Sequence, residues 1–150
     1  MYESSTLDLQ IILIKKQPLF SQLTDDETKE LASLFVEKKL PVGAFLVKEG
    51  DPVDSIYLIA QGTADVIRTS FEDGKPKTSS VAILSASDAV GLNETGFYSL
   101  SGRRTASVLA LTDMIVYMLS VASFHGFALS HSHVSEVMRK HSTDAIENNT

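Results

Sequence analysis

What most constrains this chain is a block of short apolar runs between residues 44 and 119, each cut off by turn chemistry. Phe45-Leu46-Val47, Ile56-Tyr57-Leu58-Ile59, Ala64-Asp65-Val66-Ile67, Val81-Ala82-Ile83-Leu84, Thr105–Leu111 and Met114–Leu119 are rich in aliphatic and β-branched residues. Between them stand Glu49-Gly50-Asp51-Pro52, Gln61-Gly62, Glu72-Asp73-Gly74-Lys75-Pro76 and Thr112-Asp113. Runs this short, bounded by Gly, Pro and Asp, read as strands. Many of them in succession predict an antiparallel sandwich or barrel. Phe71–Thr78, polar and turn-rich, is expected to be an exposed hairpin loop.

Helical texture flanks this block on both sides. Leu7 to Lys16 is strongly apolar and ends in two lysines, which suits a helix C-terminus, and Pro18 stops it. Thr24-Asp25-Asp26-Glu27 has capping-box spacing with acidic residues in the first turn. The helix it opens is expected to run to about Glu37, with Leu31, Leu34 and Phe35 on one face. After Ser120, Phe124, Phe127 and Ala128 form one apolar group, and Val134, Val137, Met138 and His141 repeat at helical spacing to about Ile146. The expected organisation is a single domain over residues 1–150: helical over 7–37, a barrel over 44–119 and helical again over 121–146.

Composition removes several classes of function. The 150 residues include no cysteine, which excludes disulfides, thiolate metal sites and cysteine nucleophiles together. A net charge of −6 argues against general nucleic-acid affinity. The longest apolar run, Ile11-Ile12-Leu13-Ile14, falls far short of the ~18 residues a membrane span needs. No signal peptide is evident, so the default expectation is a soluble cytoplasmic protein. His125, His131, His133 and His141 are the candidate histidine ligands for a metal, and surface or helix-capping roles are expected for them instead. His131 and His133, two apart, cannot share a helix face. No isolated Ser or Asp is accompanied by a histidine pattern that signals a triad, and no enzyme is expected.

The stretch that carries chemistry is Gly91-Leu92-Asn93-Glu94 followed by Gly102-Arg103-Arg104-Thr105-Ala106-Ser107-Val108. A loop begins at a glycine and delivers two arginines into a β-prone run. Arginine suits a phosphate because its planar fork donates parallel hydrogen bonds and stays charged. Strand alternation places Arg104 with Ala106 and Val108 on the inner face and Arg103 outside.

These motifs, in this order, resemble the cyclic nucleotide-binding domain family over about Ile11 to His141. Pro18-Leu19-Phe20-Ser21-Gln22-Leu23 is similar to the family's entry motif before its second helix. Gly43, Glu49-Gly50-Asp51, Asp54, Tyr57 and Gly62 match its early strands and turns. Leu84-Ser85-Ala86-Ser87-Asp88-Ala89-Val90-Gly91 is similar to the approach to the phosphate-binding cassette, usually Leu-x-x-Gly-Asp-x-Phe-Gly-Glu, with Ser87 and Val90 in place of Gly and Phe. Gly102 to Val108 resembles the cassette's exit.

The resemblance implies an α+β fold: an antiparallel β jelly-roll barrel flanked by N- and C-terminal helices. It implies a ligand, cAMP or cGMP, with Gly91, Glu94, Arg104 and Thr105 as ligand-binding residues and no other cofactor or metal. Arg104 stands where the family grips the cyclic phosphate, and Thr105 where a side chain helps with phosphate or base. The acid that usually follows the cassette glycine and accepts the ribose 2′-hydroxyl is replaced by Leu92; Glu94, two residues on, is the candidate substitute acceptor if the inserted residues re-route the loop. The loop to Arg104 is about three residues longer than the usual cassette, and Phe97, Tyr98 or Leu100 are candidates to fill the pocket. The expected function is a stand-alone regulatory module whose cyclic-nucleotide binding is weak or lost. The alternative is a ligand-free docking module using the terminal helices, by homodimerisation or on a protein partner. The few residues after His141 leave no room for a winged helix, so action by association is expected.

Overall fold

The computed structural model describes residues 2–93, 96–97 and 102–148. Glu94, Tyr98 and Leu100, and the side chains of Phe97 and His141, lie outside the described residues. Helix α1 (Tyr2–Lys15) is followed by a 3-10 turn (Pro18–Phe20) and α2 (Asp25–Ala32). Ten strands come next among the described residues: β1 (Val36–Leu40), β2 (Phe45–Val47), β3 (Ser55–Gln61), β4 (Ala64–Glu72), β5 (Lys75–Leu84), β6 (Ala89–Val90), β7 (Leu92–Asn93), β8 (Gly96–Phe97), β9 (Ser107–Ala110) and β10 (Met114–Ser120). Helices α3 (Val121–Ser130) and α4 (Ser132–Asn148) complete the chain. Among the described residues no helix is long and apolar enough to cross a membrane.

The strands form two four-stranded antiparallel sheets, ordered β1-β10-β3-β6 and β2-β9-β4-β5, with β7 and β8 as a separate ribbon. This is an α+β arrangement, an antiparallel jelly roll flanked by helices at both ends. The central strands explain why the apolar runs do not alternate with polar residues. On β3, Ile56 and Leu58 join the core beneath the helices, while Tyr57 and Ile59 join the core between the sheets. On β10, Leu119 and Tyr117 face the helices and Val116 and Met114 the sheets. Both faces of these strands are buried, so both are apolar.

The helical core unites the two ends of the chain. Leu13 and Ile14 of α1, Leu19 and Phe20 of the turn, and Leu31 of α2 pack with Phe124 and Phe127 of α3 and Val134 of α4. The Phe20 and Phe124 rings lie 5.7 Å apart in a tilted pair. Each such side chain, fully buried, contributes about 1.5–3 kcal/mol of transfer free energy.

Two sequence expectations need correction. The helix opened by Thr24 does not reach Glu37; it ends at Ala32, and Val36–Leu40 is strand β1, paired in register with β10 from Val36↔Met118 to Leu40↔Met114. Four of the five β1 residues are exposed, so no apolar alternation marks the strand; its partner dictates it. Phe71–Thr78 is not a loop either. β4 and β5 pair continuously to Glu72↔Lys75, and only Asp73-Gly74 turns. Both have positive φ, 53° and 76°, as a two-residue primed hairpin turn requires.

Candidate functional site

The site is built where the turn after β2, the end of β6 and the segment before β9 converge. The Glu49–Pro52 turn clamps the arginine segment through backbone bonds. The Arg104 amide donates to the Asp51 carbonyl at 2.7 Å, the Gly50 amide to the Arg104 carbonyl at 2.8 Å, and the Val53 amide to the Gly102 carbonyl at 2.7 Å. Arg103 and Pro52 form an isolated antiparallel bridge. This clamp explains Gly50, which sits at φ +90° with nothing within 4 Å of where a Cβ would lie: the turn needs its backbone freedom, not its small size.

The clamp turns the two arginines opposite ways. Arg103 is exposed, and its Nη1 donates to the Gly50 carbonyl at 2.9 Å. Arg104 is 7 % exposed. Its Nη2 donates to the Ser55 carbonyl at 2.7 Å, 4.0 Å from Asp54 Oδ1, and its guanidinium carbon lies 5.9 Å from the centre of the Tyr57 ring. Its Nη1 is buried without a hydrogen-bond partner among the described residues. Burial pulls the guanidinium below its ordinary pKa, while the fields of Tyr57, Asp54 and Asp51 act the other way.

Beside Arg104 lies a cavity of about 350 Å³ between the sheets. Its walls are mostly apolar: Val47, Val66, Leu84, Val90 and Val108 among them. Gly91, Leu92, Arg104 and Thr105 all line it, so three of the four sequence-derived site residues share one cavity. The fourth, Glu94, lies outside the described residues. Thr105 is exposed at the cavity edge, and Leu92 is buried at 9 % exposure. Gly91 stands at φ +84°, against Arg104.

Sequence reasoning did not identify three contributors. The Ser55 carbonyl, Arg104's partner, lies 49 residues away in sequence and carries no side-chain signal. Tyr57 is legible as a motif residue but not as a neighbour of the guanidinium. Arg68 lines the cavity from β4, its Nε donating to the Thr105 carbonyl at 3.3 Å. The Val66–Arg68 alternation on β4 was the available clue to that last placement.

A mostly apolar cavity with one buried guanidinium and few other polar groups suits a small organic anion. Comparison with known proteins gives this class a name. Residues 37–131 match the family model of the cyclic nucleotide-binding domain. The chain belongs to that family.

Among its relatives is a cAMP-dependent protein kinase regulatory subunit of Colletotrichum orbiculare, 32 % identical over 138 residues, which are 89 % of this chain and 31 % of that protein. A cGMP-dependent protein kinase of Caenorhabditis briggsae is 29 % identical over 111 residues, covering 74 % of this chain and 13 % of the kinase. This chain thus spans less than a third of either relative. In structure it resembles the N-terminal domain of a transcriptional regulator from Streptomyces coelicolor A3(2), with a TM-score of 0.77, 27 % identity, and coverage of 92 % of this chain and 94 % of the other.

Proposed function

We propose that the chain is a cyclic-nucleotide sensor module whose cavity takes cAMP or cGMP with reduced affinity. The observation that carries this reading is Arg104: a buried guanidinium on the cavity wall whose Nη1 has no hydrogen-bond partner among the described residues. A buried charged donor without a partner costs roughly 1–3 kcal/mol or more, which a cyclic phosphate would relieve. Gly91 and Thr105 line the same wall and would flank the phosphate.

Two features support reduced affinity. Leu92 follows the cassette glycine and cannot accept the ribose 2′-hydroxyl, removing a charge-assisted bond of roughly 1.5–3 kcal/mol. That is about one to two orders of magnitude in dissociation constant. Nη2 of Arg104 is also held by Ser55, so a phosphate taking a bidentate grip through both Nη1 and Nη2 must compete with a 2.7 Å hydrogen bond for the second nitrogen. Calorimetric titration with cAMP and cGMP tests the reading. Micromolar or weaker binding, abolished by Arg104→Met, is expected. A sub-micromolar dissociation constant would overturn the reduced affinity, and binding unchanged in Arg104→Met would overturn the site.

A second reading, docking through the terminal helices, is favoured by α1. Leu9 and Ile12, one turn apart, are exposed at 38 % and 51 %. Apolar surface left outside a core marks interaction sites when it is contiguous. Light scattering of the wild type and of Ile12→Lys decides it: an oligomer that the substitution dissolves supports docking between copies, and a monomer in both removes self-association.

A further inference from the structure

Two histidines at the α3–α4 junction meet two carboxylates on α2. His133 Nδ1 lies 2.8 Å and 3.0 Å from the two carboxylate oxygens of Glu27, across 106 residues of sequence. His131 Nε2 lies 2.7 Å from Glu30 Oε2. Glu27 and Glu30 are three apart on one helix and therefore share a face. His131 leaves α3 in extended backbone and His133 lies in the first turn of α4. This change of backbone lets residues two apart reach the same neighbouring helix.

Both pairs are built in. The His131 ring centre lies 4.9 Å from that of Phe127, a core residue. Glu27 is the acidic half of the α2 capping box, accepting from the Thr24 amide at 2.8 Å, and its side chain is only 12 % exposed. Among the described side chains, the other charged or titratable groups on these elements are Asp25, paired with Lys15 of α1 at 3.0 Å, Asp26 and Lys29 on α2, His125 on α3, and Glu136, Arg139 and Lys140 on α4.

We propose that the two pairs form a proton-operated clasp that holds the α3–α4 junction, and with it α4, against α2. An imidazole passes from neutral to cationic as the pH falls from 8 toward 6. At the high end each pair is a hydrogen bond; at the low end it is an ion pair as well. The added attraction is present where both imidazoles are charged and both carboxylates ionised, and is lost as the pH rises. Glu27 stays ionised at the low end: burial works against it, but the Thr24 amide and His133 hold its carboxyl below the ordinary value. An exposed pair of this kind changes an opening equilibrium by about 1.5- to 5-fold, so the two together give roughly 2- to 25-fold.

Hydrogen exchange over residues 132–140, in the full chain at pH 6 and pH 8 and normalised to intrinsic rates, tests the clasp. Protection in the wild type should be roughly 2- to 25-fold greater at pH 6. The double variant His131→Gln with His133→Gln should lose this dependence. So should Glu27→Gln with Glu30→Gln, which reads the same linkage from the other side and keeps a residue able to complete the capping box. His125→Gln should retain it. Equal protection at the two pH values in the wild type, or full pH dependence in the glutamate variant, would overturn the proposal. If the double-histidine variant fails to fold, the glutamate variant decides.

Discussion

A Cβ on residue 91 would lie 2.7 Å from Nη1 of Arg104, so Gly91 is part of the seat of that guanidinium. The same atom would lie 3.2 Å from the Ser55 carbonyl oxygen, which accepts from Nη2. Residue 91 therefore closes one side of a slot whose other wall is β3. The glycine serves twice, because its φ of +84° also lies where side chains are disfavoured. The loop glycine and the arginine, thirteen positions apart in the sequence, are one structural unit.

Gly91→Ala should therefore destabilise the fold and disturb the site together. The left-handed backbone alone costs about 1–2 kcal/mol for a residue with a Cβ. The contact with Arg104 adds to this or displaces the guanidinium from Ser55. Urea denaturation should show a loss of about 2 kcal/mol. Any cyclic-nucleotide binding should fall in parallel. A variant as stable as the wild type would mean that the slot is not as tight as the structure shows.

Leu92→Glu should restore a ribose acceptor. If the missing carboxylate is what weakens binding, affinity for cAMP should rise by about tenfold or more. The gain should vanish with a 2′-deoxy analogue, which has no hydroxyl to donate. If Glu94 already serves as acceptor, Leu92→Glu should change little and Glu94→Ala should cost about 1.5 kcal/mol. Calorimetry on the two variants separates these outcomes.

The sequence signals that held were local or ordered. The Thr24–Glu27 capping box is formed, with the Glu27 amide donating to Thr24 Oγ1 at 3.1 Å. The order of short strands and turns pointed to an antiparallel sandwich or barrel with flanking helices, and the family resemblance to a jelly roll. What escaped was dictated by distant partners. Val36–Leu40 is a strand because β10 lies beside it, and nothing in Val-Glu-Lys-Lys-Leu announces that. The polar run Lys75–Ser80 extends β5 because β4 continues opposite it; its composition alone reads as loop. The same holds in the site. Gly91 and Arg104 are legible from a motif, whereas the Ser55 carbonyl and the His–Glu pairs depend on packing between segments far apart in sequence.

Ser87→Gly should stabilise slightly. Ser87 holds φ +81° in the turn between β5 and β6, where its carbonyl accepts from the buried Gln17 amide at 2.9 Å. Relief of a left-handed non-glycine conformation, roughly 1–2 kcal/mol, outweighs the roughly 0.5–1 kcal/mol of chain entropy that glycine loses on folding. The Lys16–Ser87 hydroxyl bond that disappears is exposed and contributes little. A net gain of about 0.5 kcal/mol, seen as a higher melting temperature, is expected. A lower melting temperature would show that the side chain secures this turn.

Acid should unlatch α2 through Glu27. Its carboxyl is held below the ordinary value of 4.5 despite partial burial, because the charged form accepts from the Thr24 amide and faces His133. A carboxyl whose pKa is lowered by folding stabilises the native state fully above its unfolded value. That contribution is lost as the pH falls through the folded value. Asp25 shifts in the same direction, through its hydrogen bond and charge interaction with Lys15, but is fully exposed and screened. Urea midpoints should therefore fall below about pH 4.5 as Glu27 takes up its proton. In Glu27→Gln, which keeps the capping geometry without the charge, the acid limb should be shallower and the neutral-pH stability lower. Parallel pH profiles for the two proteins would show that Glu27 carries none of the acid sensitivity.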